Sequence, residues 1–462
     1  MAATDPALWT TSQQAAAMRR RELGSVELLE AQLARIERLN PDVNAVCTLS
    51  IEGARQSAVT ADESAARGRF SGSLHGIPIT VKDAIATSGI RSTGGSPQLL
   101  DNVPQHDAEA VAAVKREGAI VFGKTNLPLW SGDLQTFNEM FGTTNNPWDL
   151  SRVPGGSSGG AAAAVACGMT SFEIGTDIGG SVRVPSAFCG VFGHKPSFGV
   201  VPTLGYIDEP NGGVTESDIN VFGPIARSAD DLAMLFGVLA GPSADRSLGW
   251  RLDLPRADVT DLRSLRVAAW FDEPSIPIDA EMIAVLDGVA DRLVEAGVTV
   301  DRRARPQLDF TQAWLSGTWL IASATHISDG ERTVNHTDWL VADRDRARRR
   351  LRWAEFFEKF DLLLCPVTMM PAFPHHQEGT WATRQIVVNG QTVPYSALEA
   401  WPALIGSAYL PSTSTPVGRT AAGLPVGVQV VAPYLRDFRA IAASGLIAQL
   451  VGGGYEVPPI AR

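Results

Sequence analysis

The stretch RVPGGSSGGAAAAVACGMTSFEIGTDIGGSVRVPS, from Arg152 to Ser186, constrains this chain most. It holds two serine-bearing glycine loops, GGSSGG and DIGGS, on either side of a small-residue helix. Glycines beside a serine let the backbone come close to a bound molecule and turn N–H groups towards it. Upstream, within GIPITVKDAIATSGIRSTGGS, stands Lys82. Two serines and a lysine can relay a proton to a nucleophile without any histidine.

The texture around these loops is that of an α/β protein. Residues 1–70 read as N-terminal helices. In SVELLEAQLARIERLN, Leu28, Leu29, Leu33 and Ile36 recur at helical spacing, Ser25 is a candidate cap, and Asn40-Pro41 is the expected end. From Gly76, short β-like runs such as IPITV and AIVF alternate with helical patterns such as AEAVAAVKREG. Residues 71–240 therefore read as a catalytic core. Residues 241–360 are more polar and variable in texture, with one βα-like unit, LRVAAWFDEP followed by AEMIAVLDGVADRLVEAG. Residues 361–462 return to the apolar style through the strand-like LLLCPV and GLPVGVQVVAP and the helical FRAIAASGLIAQLV. The expectation is one large domain over 1–462, with no repeat and no Gly/Ser linker.

Composition excludes several partner classes. A net charge of −11 and a sequence pI near 5.2 argue against nucleic acid and against an anionic membrane surface. The one basic run, Arg344 to Arg352, lies among helix formers and is expected to be a solvated helix face. Cys47, Cys167, Cys189 and Cys365 form no CxxC pair and read as buried thiols. With no signal-like start and no apolar run of membrane length, the expectation is a soluble, cytoplasmic protein.

Two motif matches are decoys. Gly118 to Thr125, GAIVFGKT, fits the GxxxxGK[ST] phosphate loop, but its middle residues Ala-Ile-Val-Phe read as a buried strand. Gly155 to Gly159 fits the GxSxG elbow of an α/β-hydrolase-type esterase, but NPWDLSRVP before it is not a strand. A histidine partner would have to come from His75, His106, His194, His326, His336, His375 or His376. The adjacent His375 and His376 lack the spacing and neighbours of a metal site, so no metal is expected.

The lysines are Lys82, Lys115, Lys124, Lys195 and Lys359. Lys82 follows an apparently buried strand. Spacing alone leaves two readings open: a salt bridge with Asp83 or another carboxylate, or a desolvated lysine neutral enough to act as a base.

The motifs together resemble those of the amidase signature family. The resemblance is carried by G-I-P-I-T-V-K-D, R-V-P-G-G-S-S-G-G and G-T-D-I-G-G-S-V-R-V-P-S-A-F-C-G. It continues through F-G-H-K-P-S, G-P-I-A-R-S-A-D-D-L-A, F-D-L-L-L-C-P and G-L-P-V-G-V-Q-V-V-A-P, and thins between about 240 and 360. It implies a mixed β-sheet core layered between α-helices and a hydrolase of carbon–nitrogen bonds other than peptide bonds, with no cofactor. By the resemblance Lys82 is the catalytic lysine, Ser157 the bridging serine held through a cis peptide, and Ser181 the nucleophile. The N–H groups of Ile178, Gly179, Gly180 and Ser181 would form the oxyanion hole. Ser158, Asp177 and Arg183 take supporting roles, Ser158 by a hydrogen bond near the relay and the other two by orienting the loop.

The substrate is less legible. Trp314, Trp319, Trp339, Trp353, Trp381 and Trp401 crowd the middle and late regions. Most read as core and some as lining of an acyl pocket, and no basic residue stands out there as a carboxylate clamp. The expectation is an apolar or aromatic small-molecule amide, carbamate (urethane) or ester, with a homodimer compatible with the chain. The alternative within the family is the A-type component of a glutamyl-tRNA amidotransferase. Against it, DIGGS stands where those usually have DTGGS, and VPTLGYIDEPNGGVTESDINVFGP departs from their pattern.

Overall fold

The structure, a computed structural model, describes residues 5–325 and 334–462. His326 lies outside the described residues. The architecture is α/β, a large mixed central sheet flanked by helices. The sheet runs, edge to edge, through Thr299–Asp301, Arg266–Ala269, Leu362–Pro366, Pro425–Val431, Ser412–Arg419, Phe192–Lys195, Val221–Ala226 and Glu173–Asp177. The first three strands are parallel, and each later neighbour is antiparallel. Strands buried on both faces read as continuous apolar runs. That is why LLLCPV and GLPVGVQVVAP were legible, and both strands are buried throughout.

A smaller sheet carries the lysine. Pro78–Lys82 runs parallel to Ile120–Thr125, which pairs antiparallel with Val46–Leu49. Lys82 ends its strand, opposite Thr125. The GAIVFGKT segment is thus strand and not a phosphate loop. Lys124 is buried in it, with Nζ donating to Ile85 O and, at 2.9 Å, to Thr87 Oγ1.

Two expectations need correction. The helix carrying SVELLEAQLARIERLN spans Ser25–Val43 and runs through Pro41. Pro41 removes a donor to the carbonyl of Glu37, an exposed residue that water can serve, and the helix ends instead at Asn44 with φ 52°. Ser25 does not cap it; its hydroxyl donates to Gly76 O at 2.5 Å, tying the helix to the approach of the lysine strand. The basic run is not wholly solvated either. On helix His336–Phe357, Arg346 is buried: it pairs with Asp218 at 2.7 Å and with Asp343, and its guanidinium lies 4.6 Å from the Tyr409 ring. Asp218 and Tyr409 come from distant segments, so the inward pull on Arg346 is invisible in the local charge pattern.

Candidate active site

The small-residue helix Gly159–Ala166 is buried along its whole length. Its side chains leave room for the two serine loops to approach each other, and Ser158 N–H donates to Ser181 O at 3.1 Å. The Gly156–Ser157 peptide bond is cis. A methyl group on Gly156 would lie 2.6 Å from Asp133 O and 2.7 Å from Gln135 O, so only glycine fits beneath that segment.

Lys82 Nζ donates to Ser157 Oγ at 2.6 Å and to Thr176 Oγ1 at 2.7 Å. Lys82 and Ser157 are both wholly buried, and Ser181 retains 4% of its surface. Among the described residues Lys82 makes no ion pair, and the neighbouring Asp83 instead accepts from Thr93 N and Oγ1. The salt-bridge reading of Lys82 is therefore overturned. Burial drives its pKa well below the ordinary lysine value, opposed in part by the charges of Asp177 and Glu173. Glu173 is buried, accepts from Thr80 Oγ1 at 2.6 Å, and is itself pushed up to about 7 by burial.

Asp177 organises the second loop. Its Oδ1 accepts from Gly180 N at 2.9 Å, and its Oδ2 accepts from the N–H groups of Val182 and Arg183 at 3.1 and 3.3 Å. Arg183 closes the arrangement with two guanidinium bonds to Asp177, at 2.8 and 3.0 Å, and reaches Pro402 O and Gln429 Oε1, each at 3.0 Å. Burial works to raise the Asp177 pKa, but the Arg183 charge and hydrogen bonds outweigh it and hold the carboxyl below its ordinary value. Gly180 takes φ 113°, a backbone region closed to most side chains.

This arrangement corrects the expected set of four oxyanion donors. The Gly180 N–H is turned to Asp177, and no described residue accepts from the N–H groups of Ile178, Gly179 or Ser181. Those three are the free donors of the loop among the described residues. The Ser158 hydroxyl brackets the Thr176 backbone, accepting from its N at 3.3 Å and donating to its O at 3.4 Å.

Two residues escaped the sequence reading. Thr176 precedes Asp177 in a wholly buried strand, and nothing local shows that its hydroxyl meets Lys82. Glu399 arrives from a remote segment over Gly179, where a methyl group on that glycine would lie 2.1 Å from Glu399 Oε1. Of the tryptophans, Trp353 and Trp401 are core at 1% and 0% exposure. Trp314, Trp319 and Trp339 pack with Ile178 around Ile219, Leu320, Ile321 and Ala403. Trp381 packs edge-on against Tyr395. The four cysteines carry free thiols, with Cys47 only half-buried. No group of three or more metal-ligating side chains is assembled among the described residues, and no described helix is long and apolar enough to cross a membrane.

Comparisons with known proteins find likenesses to amidases. The Amidase family model matches residues 27–337 and 323–441. The A subunit of the glutamyl-tRNA(Gln) amidotransferase of Roseiflexus sp. (strain RS-1) is 32% identical over 471 residues, covering 91% of this chain and 92% of that protein. A crystal structure of an amidase superposes with a TM-score of 0.79 at 26% identity, over 96% of this chain and 100% of that one. A bacterial aryl acylamidase of the amidase signature enzymes shares the fold, with a TM-score of 0.78 at 24% identity over 96% of each chain.

Proposed function

The chain belongs to the amidase signature family, whose enzymes act on carbon–nitrogen bonds, and from that premise we propose that it hydrolyses small carboxylic amides through Ser181, Ser157 and Lys82. The observation that carries this reading is a wholly buried lysine, in no ion pair among the described residues, donating to Ser157 Oγ at 2.6 Å.

In the proposed reaction neutral Lys82 takes a proton from Ser157 as Ser157 takes one from Ser181. Ser181 Oγ then bonds to the substrate carbonyl carbon, and the carbonyl oxygen becomes an oxyanion facing the free N–H groups of Ile178, Gly179 and Ser181. Such donors are typically worth about 2.7–4 kcal/mol each to a transition state. As the C–N bond breaks, Ser157 gives its proton to the leaving nitrogen and recovers one from Lys82. An amide nitrogen leaves poorly without that proton. Water, deprotonated by the same relay, cleaves the acyl-enzyme and releases the acid.

The indoles of Trp314, Trp319 and Trp339 beside Ile178 support an apolar or aromatic acyl group. A urethane differs at the oxygen beside the carbonyl, so carbamates and esters fall within reach of the same relay. A second reading, the A-type component of a glutamyl-tRNA amidotransferase, is favoured by the likeness to such a protein over nine-tenths of the chain. Ile178 in DIGGS and the segment after the core speak against it.

The test is turnover of a panel of aryl amides and carbamates by the wild type and Ser181→Ala. The reading expects turnover by the wild type and its loss in a folded Ser181→Ala. Retention of more than about a few per cent of the rate sinks the assignment. Glutamine-dependent amidation of a charged tRNA, with no aryl amide cleaved, decides for the second reading.

A further inference from the structure

The relay leaves one carboxyl beside the oxyanion loop unused. Glu399 precedes helix Ala400–Gly406 but its side chain does not cap it, and its carboxyl faces the Thr318 hydroxyl. It is 8% exposed and lies directly over Gly179. Across from it runs helix Phe310–Ala324, seated so closely that a methyl on Gly317 would meet Ser407 Oγ at 3.0 Å and Ala403 O at 3.2 Å. Trp314 and Thr318 stand one turn apart on this helix and so share a face. Both residues are half-buried, yet the Trp314 Nε1 donor and the Thr318 hydroxyl have no partner among the described residues. Buried polar groups in native structures almost always find partners, so two such groups beside a buried carboxyl point to a ligand.

The chemistry of the groups names the ligand class. Burial, reinforced by the negative Asp177, pushes Glu399 up to about 8, with Arg183 and Thr318 opposing. At neutral pH it therefore carries a proton, and it can both donate and accept. An indole N–H only donates. A partner for this set must offer an acceptor to the indole and both an acceptor and a donor to the carboxyl, which a neutral carboxamide or urea does and an ammonium does not. The side is set by the relay. The leaving nitrogen must lie at Ser157, whose loop packs on Asp133 to Gln135, whereas Glu399 approaches the oxyanion loop from the helical wall.

Resting on the amidase reading above, we infer that Glu399, Thr318 and Trp314 form a second polar subsite that binds a non-scissile neutral carboxamide or urea group on the acyl side of the substrate.

The experiment compares two anilides of equal shape, 4-anilino-4-oxobutanamide and 4-methylpentananilide, with the 4-aminobutyryl and succinyl anilides as charged controls. The readout is the ratio of kcat/KM between the carboxamide and its isopropyl isostere. The inference expects a ratio of about ten in the wild type, largely kept by Glu399→Gln and falling towards one in Glu399→Leu and Thr318→Val. A wild-type ratio near one overturns it, as does a preference for the ammonium or carboxylate analogue. Turnover of neither anilide counts against the hydrolase reading. Calorimetric binding to Ser181→Ala then decides the subsite by itself: tighter binding of the carboxamide supports it, and equal binding overturns it.

Discussion

Thr176 Oγ1 accepts a hydrogen bond from Lys82 Nζ at 2.7 Å, beneath the loop that carries Ser157. This places the lysine between two hydroxyls, in no ion pair among the described residues. Thr176 thereby positions Lys82, and it favours the ammonium form, which has more protons to donate. Thr176→Val keeps the shape and removes the acceptor. The expected result is a fall in kcat of about 10- to 100-fold, with the acid limb of the pH–rate profile moved to lower pH because the lysine loses its proton more readily. A purely structural role would lower activity without moving that limb.

Burial keeps the Lys82 pKa well below the ordinary lysine value, against the pull of Asp177 and Glu173. The neutral form is the base, so activity is expected to rise with pH through that lowered pKa and then level. Lys82→Ala is expected to lose most of the rate on amides, and less on esters of the same acyl group, since an alkoxide leaves with less help from a proton. Paired pH–rate profiles on a matched amide and ester check this. Equal losses on both, with an unchanged acid limb, would remove Lys82 from the role of base.

Asp177 and Arg183 are wholly buried and their side chains are joined by two hydrogen bonds. Removing one partner leaves an uncompensated charge in the interior. Arg183→Met is therefore expected to destabilise the protein by about 3–5 kcal/mol. Denaturant unfolding of the two proteins measures it, and a loss below about 1 kcal/mol contradicts the pairing argument.

No ligand constellation stands among the described residues. Prolonged dialysis against EDTA is expected to leave turnover unchanged. Activity lost to the chelator and restored by a divalent metal would contradict the proposed relay.

Gly-Ser loops and a lysine after an apolar strand declare themselves locally, because each depends on backbone freedom or strand patterning. The continuous apolar strands were equally plain, because a strand buried on both faces has no reason to alternate. Pro41 misled the reading of its helix, since a proline in the last turn costs one bond that water replaces at an exposed carbonyl. Arg346 misled it too, because its partners Asp218 and Tyr409 are supplied by other parts of the chain.

Motifs legible along the chain were enough for a resemblance to the amidase signature family, and that resemblance implied the mixed sheet between helices and the roles of Lys82, Ser157 and Ser181. Other facts exist only once the chain is folded: Lys82 bonds to the hydroxyls of Ser157 and Thr176, Asp177 claims the Gly180 N–H, and Glu399 hangs over Gly179 opposite Thr318. Most of these contacts join segments far apart in the chain. Burial then sets the charge of each group by removing water, a cost that no local stretch of sequence records.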